Sequence, residues 1–346
     1  MRISIEHIDR IERCYSNGFL TKNDEIFALF ASERAGGECM AYSISDFSKK
    51  EIIWQGKGGT MALVEVPQSN GEFLAVQNFF PGFQSAEAKI VWCRGNDGGN
   101  WIQEDFVSLP YVHRFDILPR NGVNYFIACS LCSSKQNRDD WSDPGKVYTG
   151  LLPDSPEKGI DLGILADGLI KNHGYWRGRR NNAVCGFVSS ESGIMAVIPP
   201  DYPGGPWEVE QLIDKPISDM AVFDIDGDGE DEIIAIEPFH GDSVKIYHKD
   251  ESQYSVIYEY PREIVFAHAL WAGKLRGRPS ILLGGRRQKS ELVLIQYDPD
   301  TKSFNEIVLE EGKGPSNVSV LQQENRDIIL CANNTLGEAA AFMITD

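Results

Sequence analysis

Apolar residues in this chain do not recur at helical spacing. They come in short runs rich in β-branched and aromatic side chains, punctuated by Gly, Pro, Asn and Asp. Runs of that length and composition predict strands, because branched side chains pack well on a pleated surface while the punctuating residues favour turns. One run type recurs seven times: "EIFALFASE", "EFLAVQNFF", "NYFIACSLC", "NAVCGFVSS", "DEIIAIEPF", "PSILLGGRR" and "RDIILCANN". Successive copies lie roughly fifty residues apart, within the period of propeller blades. Each copy is apolar almost throughout, as a strand covered on both faces must be. A shorter strand and a turn precede each copy, as in "HRFDILPRNG" and "SDMAVFDIDGDG", and outer strands such as "AKIVWCRG" and "ELVLIQYD" follow.

The pattern therefore predicts an all-β chain: a seven-bladed β-propeller of four-stranded antiparallel blades, with 1–346 as one domain. Strands are lettered A to D from first to last in each blade. The final unit, 315–346, supplies only three strands. The alternating segment "RISIEHID", residues 2–9, is expected to add the fourth and close the ring. A solenoid of stacked strands is the competing architecture.

Composition narrows the function classes. A hydrophobic fraction of 42% is enough for a sizeable core, and 33 basic against 51 acidic residues leave a net charge of −18. A diffuse negative field repels polyanions, which argues against nucleic-acid and anionic-membrane binding. A small anionic ligand held by a local cluster of arginines stays open. The N-terminal "MRISIEHIDRIERCYSNG" lacks the apolar core of a secretory signal, and no apolar run approaches the ~18 residues of a membrane helix. Seven cysteines are scattered, and "CSLC" (Cys129, Cys132) has no second pair to complete a zinc site. Reduced thiols and a cytoplasmic location are expected.

The segment "DIDGDGEDE", residues 224–232, places Asp224, Asp226 and Asp228 at alternate positions of a tight turn, with Gly229 permitting the bend. An EF-hand would need a Glu where Ala235 stands, and a following helix; "EIIAIE" is strand-like instead. The expected site is a strand–loop–strand calcium loop using Asp224, Asp226, Asp228, Glu232 and the Glu230 carbonyl. "DIDGDGEDEIIAI" resembles the calcium-loop repeat of FG-GAP and VCBS-repeat propellers, which implies a structural Ca²⁺. The turn joins strands A and B, opposite the loops that usually build a propeller's ligand face, so the cation is expected to be a staple remote from any pocket.

That ligand face is formed where strands A begin and strands B end. Strand A starts supply Asn17, Thr60, His113, Arg114, Asn172, His173, Asp219, His268 and Asn317. Strand B ends supply Glu33, Arg34, Asn78, Phe80, Lys135, Glu191, Glu237, His240, Arg286, Arg287, Asn333 and Asn334. Four of the six histidines are among them. Longer segments add Phe79 and Phe83, then Arg138, Trp141 and Lys146, then Tyr175, Trp176, Arg177, Arg179 and Arg180. Titratable groups converging on a concave face are the default binding site. Basic loops on an acidic chain suit a carboxylate or phosphate held by guanidinium forks, and their aromatics favour a carboxylated sugar.

The combination "HRFDILPRNGVNYFIACSL", "DDWSDPGKVYTGLLP", "KNHGYWRG" and "EPFHGD" resembles the seven-bladed propeller lyases that cleave L-rhamnose from D-glucuronate. The resemblance covers most of residues 110–290. It implies β-elimination at a uronate in an acidic oligosaccharide, with cations neutralising the carboxylate and a base and an acid moving protons. Arg286, Arg287 and Arg177 are the clamp candidates; His113, His173, His240 and Tyr175 are the acid/base candidates. Asn78, Phe80, Arg114, Lys135, Asn172, Glu237, His268 and Asn333 are the remaining substrate contacts. Three rivals stay open: a hydrolase using the carboxylates Asp219, Glu237 and Glu33, a transition-metal site at the histidines, and a propeller that binds without catalysis.

Overall fold

The computed structural model describes residues 1–80, 84–96, 99–251 and 253–346. In it the seven apolar runs become the second strands of seven antiparallel sheets, each in the expected order A-B-C-D. The sheets span 14–54, 63–108, 112–169, 174–213, 219–259, 265–310 and 315–345, and are numbered blades 1 to 7. Strand B is buried along nearly its whole length: Glu232–Glu237 and Asp327–Asn333, for example, have almost no exposed position. Blade 3 departs slightly from the plan, because a short extra strand, Cys132–Ser134, pairs with the start of Asp143–Leu151.

The last blade draws its outer strand from the N-terminus. Arg2–Arg10 runs antiparallel to Glu338–Thr345, with Arg2 opposite Thr345 and Arg10 opposite Glu338. The expected closure of blade 7 by residues 2–9 is therefore observed, one residue longer.

Turn chemistry at the A–B hairpins follows sequence closely. Asn121–Gly122, Asn181–Asn182 and Arg276–Gly277 all have positive φ at both positions. This is the left-handed pair that lets a two-residue hairpin match strand twist. Blade 5 has the acidic turn in the same place.

The chain divides into two compact units, 18–216 and 1–17 with 217–346. In the first, Leu29, Trp54, Phe73 and Val91 belong to one apolar cluster, and Leu118, Ile127, Val188 and Val197 to another. In the second, Leu282, Leu294, Ile329 and Phe342 form the corresponding cluster. Burying each large side chain of this kind contributes about 1.5–3 kcal/mol. All seven cysteines are buried and none is in a disulfide. Among the described residues, no helix is long and apolar enough to cross a membrane.

Candidate functional site

In the unit 18–216, strand A of blade 3 and strand A of blade 4 bring their polar ends together. His113 and His173 are both nearly inaccessible, with ring centroids 4.6 Å apart, and Phe79 meets His113 edge-on at 5.2 Å. Three residues along from His113 on the same strand, Asp116 is buried in the middle of Val112–Arg120. Arg177 donates from Nε to Asp116 Oδ2 at 2.7 Å and from a terminal nitrogen to Oδ1, forming a fork. Tyr175 donates its hydroxyl to the same Oδ2 at 3.0 Å, and the Ile117 N–H donates to Oδ1 at 2.8 Å.

The electrostatics follow from this packing. Burial, reinforced by the Asp116 charge, pushes the Tyr175 hydroxyl well above its usual pKa, and the Asp116 carboxylate holds the Arg177 guanidinium more firmly protonated. Tyr175 is therefore a poor proton donor near neutrality, and two donor nitrogens of Arg177 point at a protein carboxylate.

The neighbouring candidates are also tied to backbone. Asn172 donates to the carbonyls of Ser130 and Lys146 at 3.2 and 3.1 Å, and Arg114 to that of Met61 at 3.0 Å. Lys135 donates to the Arg138 carbonyl and sits 3.2 Å over the Trp141 ring. Asn78 adopts φ 62° and Phe80 is fixed by hydrogen bonds to Ser85. Phe83 lies outside the described residues.

In the other unit the candidates gather around an aromatic stack. His268 Nδ1 lies 2.7 Å from the Ser316 carbonyl, which only accepts, so Nδ1 carries a proton. Its Nε2 then receives the Tyr15 hydroxyl at 3.2 Å. The His240 ring stacks on Phe266 at 4.4 Å and on His268 at 5.3 Å. Arg287 places its guanidinium 4.5 Å from the Phe266 centroid, and Arg286 lies over both Phe266 and Tyr15 while donating to Asn334.

Glu237 accepts from Tyr247 and Lys245, and Asn333 donates to Glu338 at 3.0 Å. Arg286 and Arg287 also line a cleft of about 570 Å³ with Arg10, Arg13, Phe266 and Asn334.

The acidic turn lies at the opposite end of strand B of blade 5 from Glu237 and His240, about 17 Å away for six residues at strand rise. Asp224 accepts the N–H groups of Gly227 and Gly229, Asp226 that of Asp228, and Asp228 that of Glu230. Carboxylate oxygens of Asp224, Asp226 and Asp228 come within 4.8 Å of one another, a hard, all-oxygen donor set of the kind calcium takes. Fully buried Glu232 faces the Ile225 N–H and His248 Nδ1, at 2.8 and 2.7 Å.

Sequence reasoning missed Asp116, His248, Arg10, Arg13 and Phe266. His248 was recoverable: in the B–C hairpin of blade 5 residues equidistant from His240 pair, so Glu232 falls opposite His248. Asp116 had a weaker signal, a lone carboxylate inside an apolar strand.

Neither family models nor curated proteins match this chain. Solved structures do. The crystal structure of Saccharomyces cerevisiae Sqt1 superposes with a TM-score of 0.55 at 12% identity, over 94% of this chain and 83% of that one. The Dos1 propeller gives 0.55 at 7% identity, over 92% and 76%. The fold is a seven-bladed β-propeller. At these identities the likeness extends to the propeller fold and no further.

Proposed function

We propose that this propeller is a binding module rather than a lyase, and that its strand-end histidines and Tyr175 belong to the scaffold. The observation that carries this reading is Asp116. One buried carboxylate takes up the Arg177 fork and the Tyr175 hydroxyl together, so one clamp candidate and one acid candidate for elimination are occupied within the protein. His268 adds to it, with both ring nitrogens engaged by Ser316 and Tyr15. Catalytic acids and bases work when their pKa lies near the working pH and they reach the substrate proton. Tyr175 is displaced in the wrong direction.

The acidic turn is read as a calcium staple of blade 5. Asp224, Asp226 and Asp228 would hold the ion, with the Glu230 carbonyl and Glu232 completing the shell and His248 orienting Glu232. Bound calcium would join strands A and B at the end of the blade remote from His240.

Rhamnosyl-glucuronate and other uronate oligosaccharides test the main reading. Intact substrate after prolonged incubation is expected; unsaturated uronate or new reducing ends would overturn it.

A further inference from the structure

The chain carries a net charge of −18, yet one cleft collects four arginines against a single carboxylate, Glu12. Three separated stretches and Phe266 build it. Residues 10–13 link the closing strand to blade 1, Arg286 and Arg287 end strand B of blade 6, and 334–337 turn between strands B and C of blade 7. Its frame is rigid. Ile11 donates to the Gly337 carbonyl at 3.1 Å, and Thr335 hydroxyl to the Arg286 carbonyl at 2.9 Å. Gly337 has φ 77°, and a Cβ there would stand 3.3 Å from Glu12 Cα, so the two segments meet backbone to backbone.

Phe266 supplies the apolar part of the wall. It sits at φ 61° beside a bulge in strand A of blade 6, a conformation that bulky side chains adopt only when their surroundings impose it. The result is a half-buried ring carrying two guanidinium groups, with the exposed Leu336 on the same cleft. Arg286 donates to Asn334, while stacking of Arg287 on the aromatic face leaves its in-plane N–H fork turned away from the ring, toward where a carboxylate could meet it.

We infer that this cleft docks an acidic, partly apolar peptide segment of a partner protein, whose carboxylates pair with Arg13 and Arg287 while an apolar side chain meets Phe266 and Leu336. Charge complementarity selects the occupant: an isolated basic site in a negative field discriminates strongly among ligands, and the apolar wall gives a peptide more than a bare anion would use. The surrounding negative charge disfavours a polyanion, whose phosphates would extend beyond the cleft. This rests on the binding reading above and names its ligand.

The test is fluorescence anisotropy with a short labelled peptide alternating Glu and Leu, its Gln/Leu counterpart as the control. Binding of the Glu/Leu peptide that weakens with added salt, fails with the control, and falls about tenfold in Arg13→Glu/Arg287→Glu supports the inference. Both side chains are exposed, and an unchanged melting temperature in the variant separates lost contact from lost fold. No binding at low salt, equal binding by the variant, or preference for a labelled oligonucleotide overturns it. Failure here with uronates left intact removes the ligand and leaves the binding module standing. Turnover of uronates strikes the module itself.

Discussion

Replacing Asp116 with Ala removes the acceptor for four hydrogen bonds, two from Arg177 and one each from Tyr175 and the Ile117 N–H. Deleting one partner of a buried ion pair costs about 3–5 kcal/mol, because the remaining charge is left unpaired. Here the Arg177 side chain is 46% exposed, so water recovers part of its solvation. The half-buried Tyr175 hydroxyl also loses its acceptor and adds up to the penalty of an unsatisfied donor, about 1–3 kcal/mol. The expected loss is therefore about 2–4 kcal/mol, read as a lower urea midpoint at unchanged slope by tryptophan fluorescence. Asp116→Asn keeps the shape and half the acceptor capacity and should lose about half as much. In Asp116→Ala/Arg177→Met the orphan charge is gone, so the double variant should be more stable than Asp116→Ala alone. A loss below about 0.5 kcal/mol for Asp116→Ala would refute the lock, and would return Arg177 and Tyr175 to the pool of groups free to act on a ligand.

Other positions report on the same structure. Gly186→Ala would place a Cβ 2.8 Å from the Tyr175 ring and hydroxyl, so overpacking of about 1–3 kcal/mol is expected in the same urea assay. Burial pushes the thiols of Cys129 and Cys132 up to about 12; only about one in ten thousand would be thiolate at pH 8. A disulfide exchange reagent should therefore label none of the seven cysteines in the native protein and all seven in urea. Calcium at about a hundred times its dissociation constant should add about 2.7 kcal/mol of stability. EDTA should remove that increment, and Asp226→Ala should abolish it, as followed by calorimetry.

The propeller was legible because a B strand covered on both faces must be apolar along its length, and "DIILCAN" or "EIIAIE" announce that in isolation. Closure by the N-terminal strand was equally visible, since blade 7 came up one strand short. The candidate site was less so. Strand ends singled out His113, His173, His240 and His268, but nothing local told whether each would face a ligand or a buried partner. Asp116 decided that for Arg177 and Tyr175 from another blade. The arginine cleft was hidden for a related reason. Arg286 and Arg287 stood out beside "GG", while Arg10 and Arg13 lie just beyond the expected closing strand 2–9, in a link to which the sequence pattern assigned no role.

Hydrogen–deuterium exchange with and without the Glu/Leu peptide tests most directly where this propeller does its work. Slowed exchange is expected in residues 10–13 and 334–337, with 112–116 and 172–177 unchanged. Protection at 112–116 and 172–177 with none around Arg13 and Thr335 would contradict it.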